Sequence, residues 1–214
     1  MKCPLCSATS SKDFYRNKRC QYWHCSECDL IFVDPDDVLS TEAEKAQYDL
    51  HNNDPQDQGY LNFLRRLSEP VIGQLTEPVV GLDFGCGPGP ALCELLAQAG
   101  HQLLNYDPIY YPDEQRLTET YRLVTSSEVV EHFNHPAQSW KLLTGLVAET
   151  GLLAVMTKRH WGTEVFPQWH YKNDPTHVAF YSDKTFTWLA NHYQMRLEIV
   201  GPDVALFHRG KQNV

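Results

Sequence analysis

The sequence predicts an α/β fold: a mostly parallel sheet with helices on both faces, closed by an antiparallel hairpin and preceded by a small cysteine-bearing module. Three observations carry this prediction. From Val79 onward, strand-like apolar runs alternate with helical segments. That alternation builds parallel sheets whose crossover helices cover both faces. The chain then closes on MRLEIV-GPD-VALFHR, two strand-like runs around a tight turn, which puts one antiparallel strand at or near a sheet edge. At the other end stand two CxxC pairs.

Composition sets the outer limits. A chain of 214 residues has room for one domain of ordinary size plus a small appendage. Its net charge of −9 argues against a broad nucleic-acid footprint, which needs clustered Lys and Arg. No apolar run reaches membrane-spanning length, and the opening MKCPLC does not resemble a signal peptide. The expectation is a cytoplasmic protein with no membrane partner. Seven cysteines in such a compartment point to metal or buried thiols rather than disulfides.

Taken in order, residues 1–36 form the first unit. Cys3, Cys6, Cys25 and Cys28 follow C-x2-C-x18-C-x2-C, a spacing that suits a structural zinc site. Each CxxC turn aims two thiolates at one point, and two turns complete a closed tetrahedron. Four protein ligands leave no open position, so the role is structural. The polar-then-aromatic stretch between the pairs suits a hairpin, and LIFVDP reads as a strand stopped by proline. A unit this small cannot bury a core alone, and metal supplies the missing stability. Cys20 and His24 belong to no pair and read as bystanders.

Residues 37–70 are a linker with a helical part, FLRRL, packed by Leu61, Leu64 and Leu67. Tyr48, His51, Asn52 and Tyr60 are more polar and aromatic than a tether requires. Residues 71–214 hold the sheet. Strands are expected at Val79–Phe84, Gln102–Tyr106, Tyr121–Ser127 and Gly151–Thr157. Helices are expected at Ala91–Gly100, entered at Pro90, at Pro136–Ala148, and at Asp183–Asn191 behind a Ser182 cap.

The turn after the first of these strands reads VVGLDFGCGPGP. Its glycines, Gly85, Gly87 and Gly89, follow G-x-G-x-G rather than the dinucleotide G-x-G-x-x-G. No Lys-Ser/Thr follows, which excludes an NTPase loop. Asp83 sits in the strand end, where a carboxylate would repel phosphate and suit an amino group or positive charge. Asp107 ends the next strand, where a carboxylate can accept both hydroxyls of a ribose.

LDFGCGPG resembles the first motif of class I S-adenosylmethionine-dependent methyltransferases, and Asp107 matches their ribose-binding acid. SSEVVEHFNHP, followed by a helix and ETGLLAVMT, is similar to the middle of the ubiquinone-biosynthesis-like branch. The resemblance runs from about Tyr60 to the C-terminus and implies a Rossmann-like sheet. It implies that Asp83 serves the methionine amino group, and that Gly85, Cys86, Gly87, Gly89, Asp107, Pro108, Ser127 and Tyr60 surround the cofactor. One departure stands out. Only 13 residues, Pro108 to Thr120, separate Asp107 from the next strand. The family normally places a helix, a third strand and an adenine-binding acidic loop there, and so short a segment cannot hold all three. The third strand is expected to be missing, with Pro108, Ile109 and Tyr110 walling the adenine instead.

Ligands of such sheets bind outside the carboxyl ends of the strands. Two segments reach that edge. SSEVVEH offers His132 and Glu131. The long insertion from Lys158 to Tyr181 is rich in aromatic residues and reads as an aromatic-lined pocket or lid; it offers His177, with His160, His170 and Lys172 as weaker candidates. Histidine is the commonest general base, so His132 and His177 are the candidates for removing a proton from the acceptor, with Glu131 orienting His132. A structural role for each histidine stays open. The expected activity is methyl transfer to a small-molecule acceptor at carbon, nitrogen or oxygen. Paired CxxC knuckles also open zinc-ribbon sugar C-methyltransferases. Two alternatives remain: RNA methylation, suggested by Lys12, Arg16, Lys18 and Arg19, and non-catalytic cofactor binding, suggested by the missing adenine loop.

Overall fold

The computed structural model describes residues 1–50 and 54–210. His51 and Asn52 lie outside the described residues. Two sheets organise the chain. The first begins with β1 (Ser11–Arg16), β2 (Gln21–Cys25) and β3 (Ile31–Val33), joined antiparallel. Then come α1 (Thr41–Tyr48) and α2 (Gln58–Gln74), capped by Ser40 and Asp57 respectively. The second sheet is built from β4 (Val80–Phe84), α3 (Ala91–Gln98), β5 (Gln102–Tyr106), β6 (Tyr121–Ser127), α4 (Pro136–Gly145) and β7 (Val147–Met156). After the insertion and β8 (Ala179–Phe180), the chain closes with α5 (Asp183–His192), β9 (Arg196–Val200) and β10 (Val204–His208).

The large sheet has the order β5-β4-β6-β7-β10-β9. Strands β4 to β7 pair in parallel, and β10 runs antiparallel between β7 and β9. This is the expected α/β sheet with its closing hairpin. β5 is an edge: the chain after it makes an Asp107–Tyr111 bridge and a short 3-10 turn, and no third strand forms there. No helix among the described residues is long and apolar enough to cross a membrane.

One expected boundary moves. The helix predicted to reach Ala148 stops at Gly145, and β7 begins at Val147. Val147 is buried and pairs with Tyr121, so sheet packing outweighs helical continuation; a register shift beyond this pair absorbs the extra residues.

The insertion also departs from expectation. Most of its aromatic residues go into a core instead of a pocket wall. Its β8 adds to β3 and completes a four-stranded sheet, β1-β2-β3-β8. Phe166, Tyr171 and Phe180 are buried against Cys20, Tyr22 and Ile31, while Trp161 is left exposed. The physical reason is the size of the N-terminal unit. Three short strands cannot bury their own apolar face, and the insertion covers it.

The two sheets share a core. Cys3, Leu5, Cys28 and Phe32 join Trp140, Tyr181, Phe186 and Phe207 in one apolar cluster. Polar ties reinforce it. The Ser182 hydroxyl donates to Asp29 Oδ2 at 2.6 Å, and the Val33 amide donates to the Val178 carbonyl at 2.9 Å. A separate cluster on the other face packs Leu64, Leu67 and Val71 of α2 against Leu92, Leu95 and Leu96 of α3.

Candidate functional site

The turn from β4 into α3 begins at Gly85. Gly85 and Gly87 take φ of 79° and 63°, a region that glycine enters without penalty. The Gly85 and Cys86 amides both donate to the Tyr106 carbonyl, at 2.7 and 3.1 Å, which closes the loop onto β5. A Cβ at Gly85 would lie 2.5 Å from Val129 Cγ2. Gly85→Ala is therefore expected to cost about 2 kcal/mol or more from backbone strain and the clash together. Urea denaturation checks it; a change below about 0.5 kcal/mol would mean that the loop relaxes freely.

Asp83 lies on β4 between Asn105 of β5 and Thr125 of β6. It is buried, and its Oδ1 accepts the Thr125 hydroxyl at 2.7 Å. Burial raises its carboxyl to about 6, against the lowering effect of that hydrogen bond. A carboxylate held this way gains from any cation brought beside it.

Asp107 does more than end a strand. Its Oδ2 accepts the Gly87 amide at 3.1 Å, and its Oδ1 accepts the Ile109 and Tyr110 amides at 2.8 and 3.0 Å. Two carboxylate oxygens offer about four acceptor sites. Three backbone donors use them, so this side chain ties the glycine loop to the turn after β5.

Tyr60, Asp83, Gly85, Cys86, Gly89 and Ser127 come together in one narrow cleft of about 30 Å³, with Leu64 of α2 on one wall. Gly87 and Asp107 join it through their hydrogen bond, while Pro108 is exposed in the turn beyond. Cys86 and Cys93 are half-buried rather than fully buried as residues of their size would suggest. Cys86 faces the cleft, and the Cys93 thiol lies against Asn105 Oδ1. α1 borders the same region: the Tyr110 hydroxyl donates to Asp49 Oδ1 at 2.8 Å, and the Tyr48 ring meets His132 edge-on at 5.2 Å.

A second group begins at Glu131, four residues beyond Ser127. Ligand atoms of Glu131, His132 and His177 fall within 4.8 Å of one another. Glu131 and His132 come from the short turn after β6, and His177 comes from the insertion; its neighbour Val178 donates its amide to the Glu131 carbonyl at 2.8 Å. His132 Nδ1 lies 3.1 Å from the Thr176 carbonyl, and His177 Nδ1 lies 2.8 Å from the Tyr171 carbonyl. A carbonyl only accepts, so each Nδ1 carries hydrogen and each neutral ring keeps its lone pair on Nε2.

Glu131 is fully buried. Its Oε1 accepts the Tyr171 hydroxyl, and its Oε2 has no hydrogen-bond partner among the described residues. The same hydroxyl lies 3.1 Å from Glu128 Oε2. One hydroxyl hydrogen cannot serve two carboxylates at once. Burial pushes Glu131 up to about 7; burial, then the Glu131 charge, pushes Glu128 up to about 8.

The sequence did not single out Glu128, Tyr171, Asp174 or Thr125. Glu128 had a signal, since SSEVVEH places two acids three residues apart. Tyr171 had none: it meets Glu131 only through the fold. The N-terminal sheet holds this region. Arg19 donates to the Lys172 and Asp174 carbonyls at 3.2 and 3.3 Å, and the Tyr22 hydroxyl donates to that of Lys172 at 3.3 Å. Arg19 is thus a structural tie. His160 is another, with Nε2 lying 3.0 Å from the Asp29 carbonyl.

A cavity of about 260 Å³ opens beside the cluster, walled by Phe32, Val33, Val38, Phe133, Pro136 and Val178 among others. Phe133 and Val178 directly follow His132 and His177.

At the other end of the N-terminal sheet, Cys3, Cys6, Cys25 and Cys28 place their sulfurs within 4.8 Å of one another. Cys3 Sγ lies 3.6 Å from Cys28 Sγ, and Cys6 Sγ lies 3.5 Å from Cys25 Sγ. None is in a disulfide. A tetrahedral zinc with bonds of about 2.3 Å sets its sulfurs about 3.8 Å apart, so the group fits that ion. The thiols crowd one another: the Cys28 hydrogen bond lowers Cys3 to about 5, and burial pushes Cys6 up to about 12.

A methyltransferase-domain family profile matches residues 57–198. No curated protein matches the sequence. Among solved structures, 1,6-didemethyltoxoflavin-N1-methyltransferase from Burkholderia thailandensis, bound to 1,6-didemethyltoxoflavin and S-adenosylhomocysteine, is 15% identical. It covers 94% of this chain and 100% of its own, with a TM-score of 0.56. A protein from Pyrococcus horikoshii is 13% identical over 77% of this chain and 98% of its own, with a TM-score of 0.53. CalO1, a methyltransferase of calicheamicin biosynthesis solved with S-adenosylhomocysteine, is 12% identical over 71% of this chain and 55% of its own, with a TM-score of 0.51.

Proposed function

This chain belongs to the methyltransferase-domain family and is an S-adenosylmethionine-dependent methyltransferase, and on that premise we propose that it methylates a small molecule held beside Glu131, His132 and His177. The observation that carries this reading is the position of that group, whose Glu131 and His132 stand in the turn leaving β6, four and five residues past the Ser127 wall of the glycine-loop cleft. The apolar cavity behind Phe133 and Val178 supports an acceptor with an apolar body. The 1,6-didemethyltoxoflavin bound by the Burkholderia thailandensis enzyme is consistent with this. Membership of the ubiquinone-biosynthesis-like branch rests on the SSEVVEH motif.

In this reading Asp83 faces the methionine ammonium, directly or through water, and the glycines let the backbone approach the cofactor closely. Gly87 and Asp107 border the ribose. Asp107 has already committed three acceptor sites to the backbone, so ribose hydroxyls would use the remaining one or displace an amide. Tyr60 and Pro108 flank the cofactor. Ligands of this size need pockets of about 300 Å³ or more, so the first turn of α2, which carries Tyr60, must yield on binding.

Transfer itself is an in-line displacement at the sulfonium methyl, and alignment dominates its catalysis. A neutral imidazole Nε2 of His132 or His177 can take the acceptor proton, and Glu131 can orient the pair. The four N-terminal cysteines hold a structural zinc ion in this proposal, since their spacing and sulfur separations suit one.

The test is binding and turnover together. Calorimetry should detect S-adenosylmethionine and S-adenosylhomocysteine. NAD binding without either would overturn the reading. The Asp83 carboxyl adds a signature. It stands at about 6 in the free protein, and a neighbouring ammonium lowers it. Binding therefore releases a proton when the pH is below about 6, and affinity rises with pH up to that value and then levels. Affinity that is flat between pH 5 and 7, with no proton release, would remove Asp83 from the ammonium's surroundings.

A further inference from the structure

We propose that the acceptor is an uncharged molecule with a two-ring apolar body, seated in the cavity between the N-terminal sheet and the start of α4. This rests on the methyltransferase reading and deepens it, because it names the chemical class of the acceptor.

Three observations carry it. The first is volume. The cavity measures about 260 Å³. An apolar cavity of about 150 Å³ is enough to take up benzene, so this one holds a body of about two rings. Its place suits an acceptor, since Phe133 and Val178 on its wall directly follow His132 and His177.

The second is lining. Phe32, Val33, Val178 and Ala179 are buried apolar residues of its wall. Its polar side chains, Asn134 and His135, are exposed and so belong to its mouth. Among the described residues that line it there is no Lys, Arg, Asp or Glu. An ionic group taken inside would lose its water and meet no counter-charge. Apolar rings leave water there at a gain.

The third is the charge at the rim. Two wall residues, Pro35 and Val38, bracket Asp36 and Asp37, and Asp34 precedes them. Neutral donors fix two of these carboxylates in place. Asp34 Oδ2 accepts the Trp23 indole N–H at 2.8 Å, and Asp37 Oδ2 accepts the Gln21 amide at 2.8 Å. Neither bond cancels the negative charge, and like charges repel an incoming phosphate or carboxylate. The net charge of −9 acts in the same sense. The cavity therefore selects against nucleotide-linked and nucleic-acid acceptors.

The experiment uses the full chain with S-adenosylhomocysteine bound, at pH 7, and reads probe binding by calorimetry. The probes are phenol, 2-naphthol, 9-phenanthrol and 2-naphthyl phosphate. Affinity should rise about tenfold from phenol to 2-naphthol as a second ring is buried. The third ring of 9-phenanthrol should add nothing, because a filled cavity has no room for it. The phosphate should bind about tenfold or more weakly than 2-naphthol. Val38→Trp, which fills the cavity from a half-buried position, should weaken 2-naphthol about tenfold or more. Should that variant fail to fold, the probe series on the native chain decides. No binding of 2-naphthol, equal or tighter binding of the phosphate, a further gain for 9-phenanthrol, or a folded Val38→Trp with unchanged affinity overturns the proposal. S-adenosylhomocysteine binding in the same samples separates the two readings: cofactor bound with the probe pattern absent sinks this acceptor class alone, and no cofactor bound sinks the methyltransferase reading.

Discussion

Cys25→Ser should lower the melting temperature by about 10 °C or more and abolish turnover, while S-adenosylhomocysteine affinity changes little. The argument starts from size. Structural zinc contributes apparent free energies of about 10–16 kcal/mol in small finger peptides, whereas whole domains are stable by about 5–15 kcal/mol. Cys25 is fully buried, so losing one ligand leaves three thiolates crowded without their cation. The consequence then spreads in one direction. β3 pairs with β8, and Arg19 and Tyr22 hold the carbonyls of Lys172 and Asp174. Loosening the N-terminal sheet therefore frees the segment that carries His177. The glycine loop is flanked instead by α2 and α3, whose apolar residues pack in a different cluster. Elemental analysis of the native protein should find one zinc per chain. Zinc-free protein that stays folded and active, or a Cys25→Ser variant with normal turnover, would refute the structural role.

That coupling marks where the sequence stops being legible. Strand positions were readable because period and punctuation are local. Asp183–His192 announces itself through Ser182 and Thr185, which form a reciprocal cap in the structure. The missing third strand followed from the family resemblance together with the short chain between Asp107 and Tyr121. The cysteine group was readable because its spacing is itself the geometry. The insertion was not. Its aromatic residues suit a pocket wall or a core equally well, and the choice depends on an N-terminal sheet that needs a cover. Pairing between β3 and β8 joins residues far apart in sequence, and no local signal announces it. Residues 145–148 failed for a related reason: Val147 has a buried partner in Tyr121 that helix periodicity cannot express.

Within the site, legibility divided the same way. Asp83, the glycines and Ser127 came together as their places at strand ends required. Thr125 escaped notice although it faces Asp83 across adjacent strands, because cross-strand register cannot be read from either strand alone. Asp107 was placed well, but its three backbone bonds were invisible in sequence. His132 and His177 were nominated separately, each with a structural alternative. Their ring centroids lie 4.8 Å apart, which makes one group of two candidates.

His132→Asn and His177→Asn should each lower kcat by about 100-fold or more, with S-adenosylhomocysteine affinity nearly unchanged. The proposed role as a base requires this. The ring must offer Nε2 to the acceptor proton. Asparagine keeps polarity and approximate size but presents no such base. Each Nδ1 also faces a carbonyl that tethers the insertion, so stability should be followed beside rate. A purely structural histidine would lower melting temperature and cofactor affinity together, leaving kcat per folded molecule close to normal. The pH profile separates the cases further. Burial pushes Glu131 up to about 7, so its carboxyl is largely neutral below that value and charged above it. Orienting an imidazolium needs the charged form. Activity should therefore rise with pH through about 7, and in Glu131→Gln that rise should vanish along with most of the rate. For stability the sign is opposite. A carboxyl whose pKa is raised by folding favours the folded state while neutral, so its contribution is complete below the unfolded value near 4 and is lost as pH climbs through about 7. Rate increasing with pH while melting temperature falls would be hard to obtain from a structural role alone. A rate independent of pH between 6 and 8, with both histidine variants active, would remove this group from the chemistry.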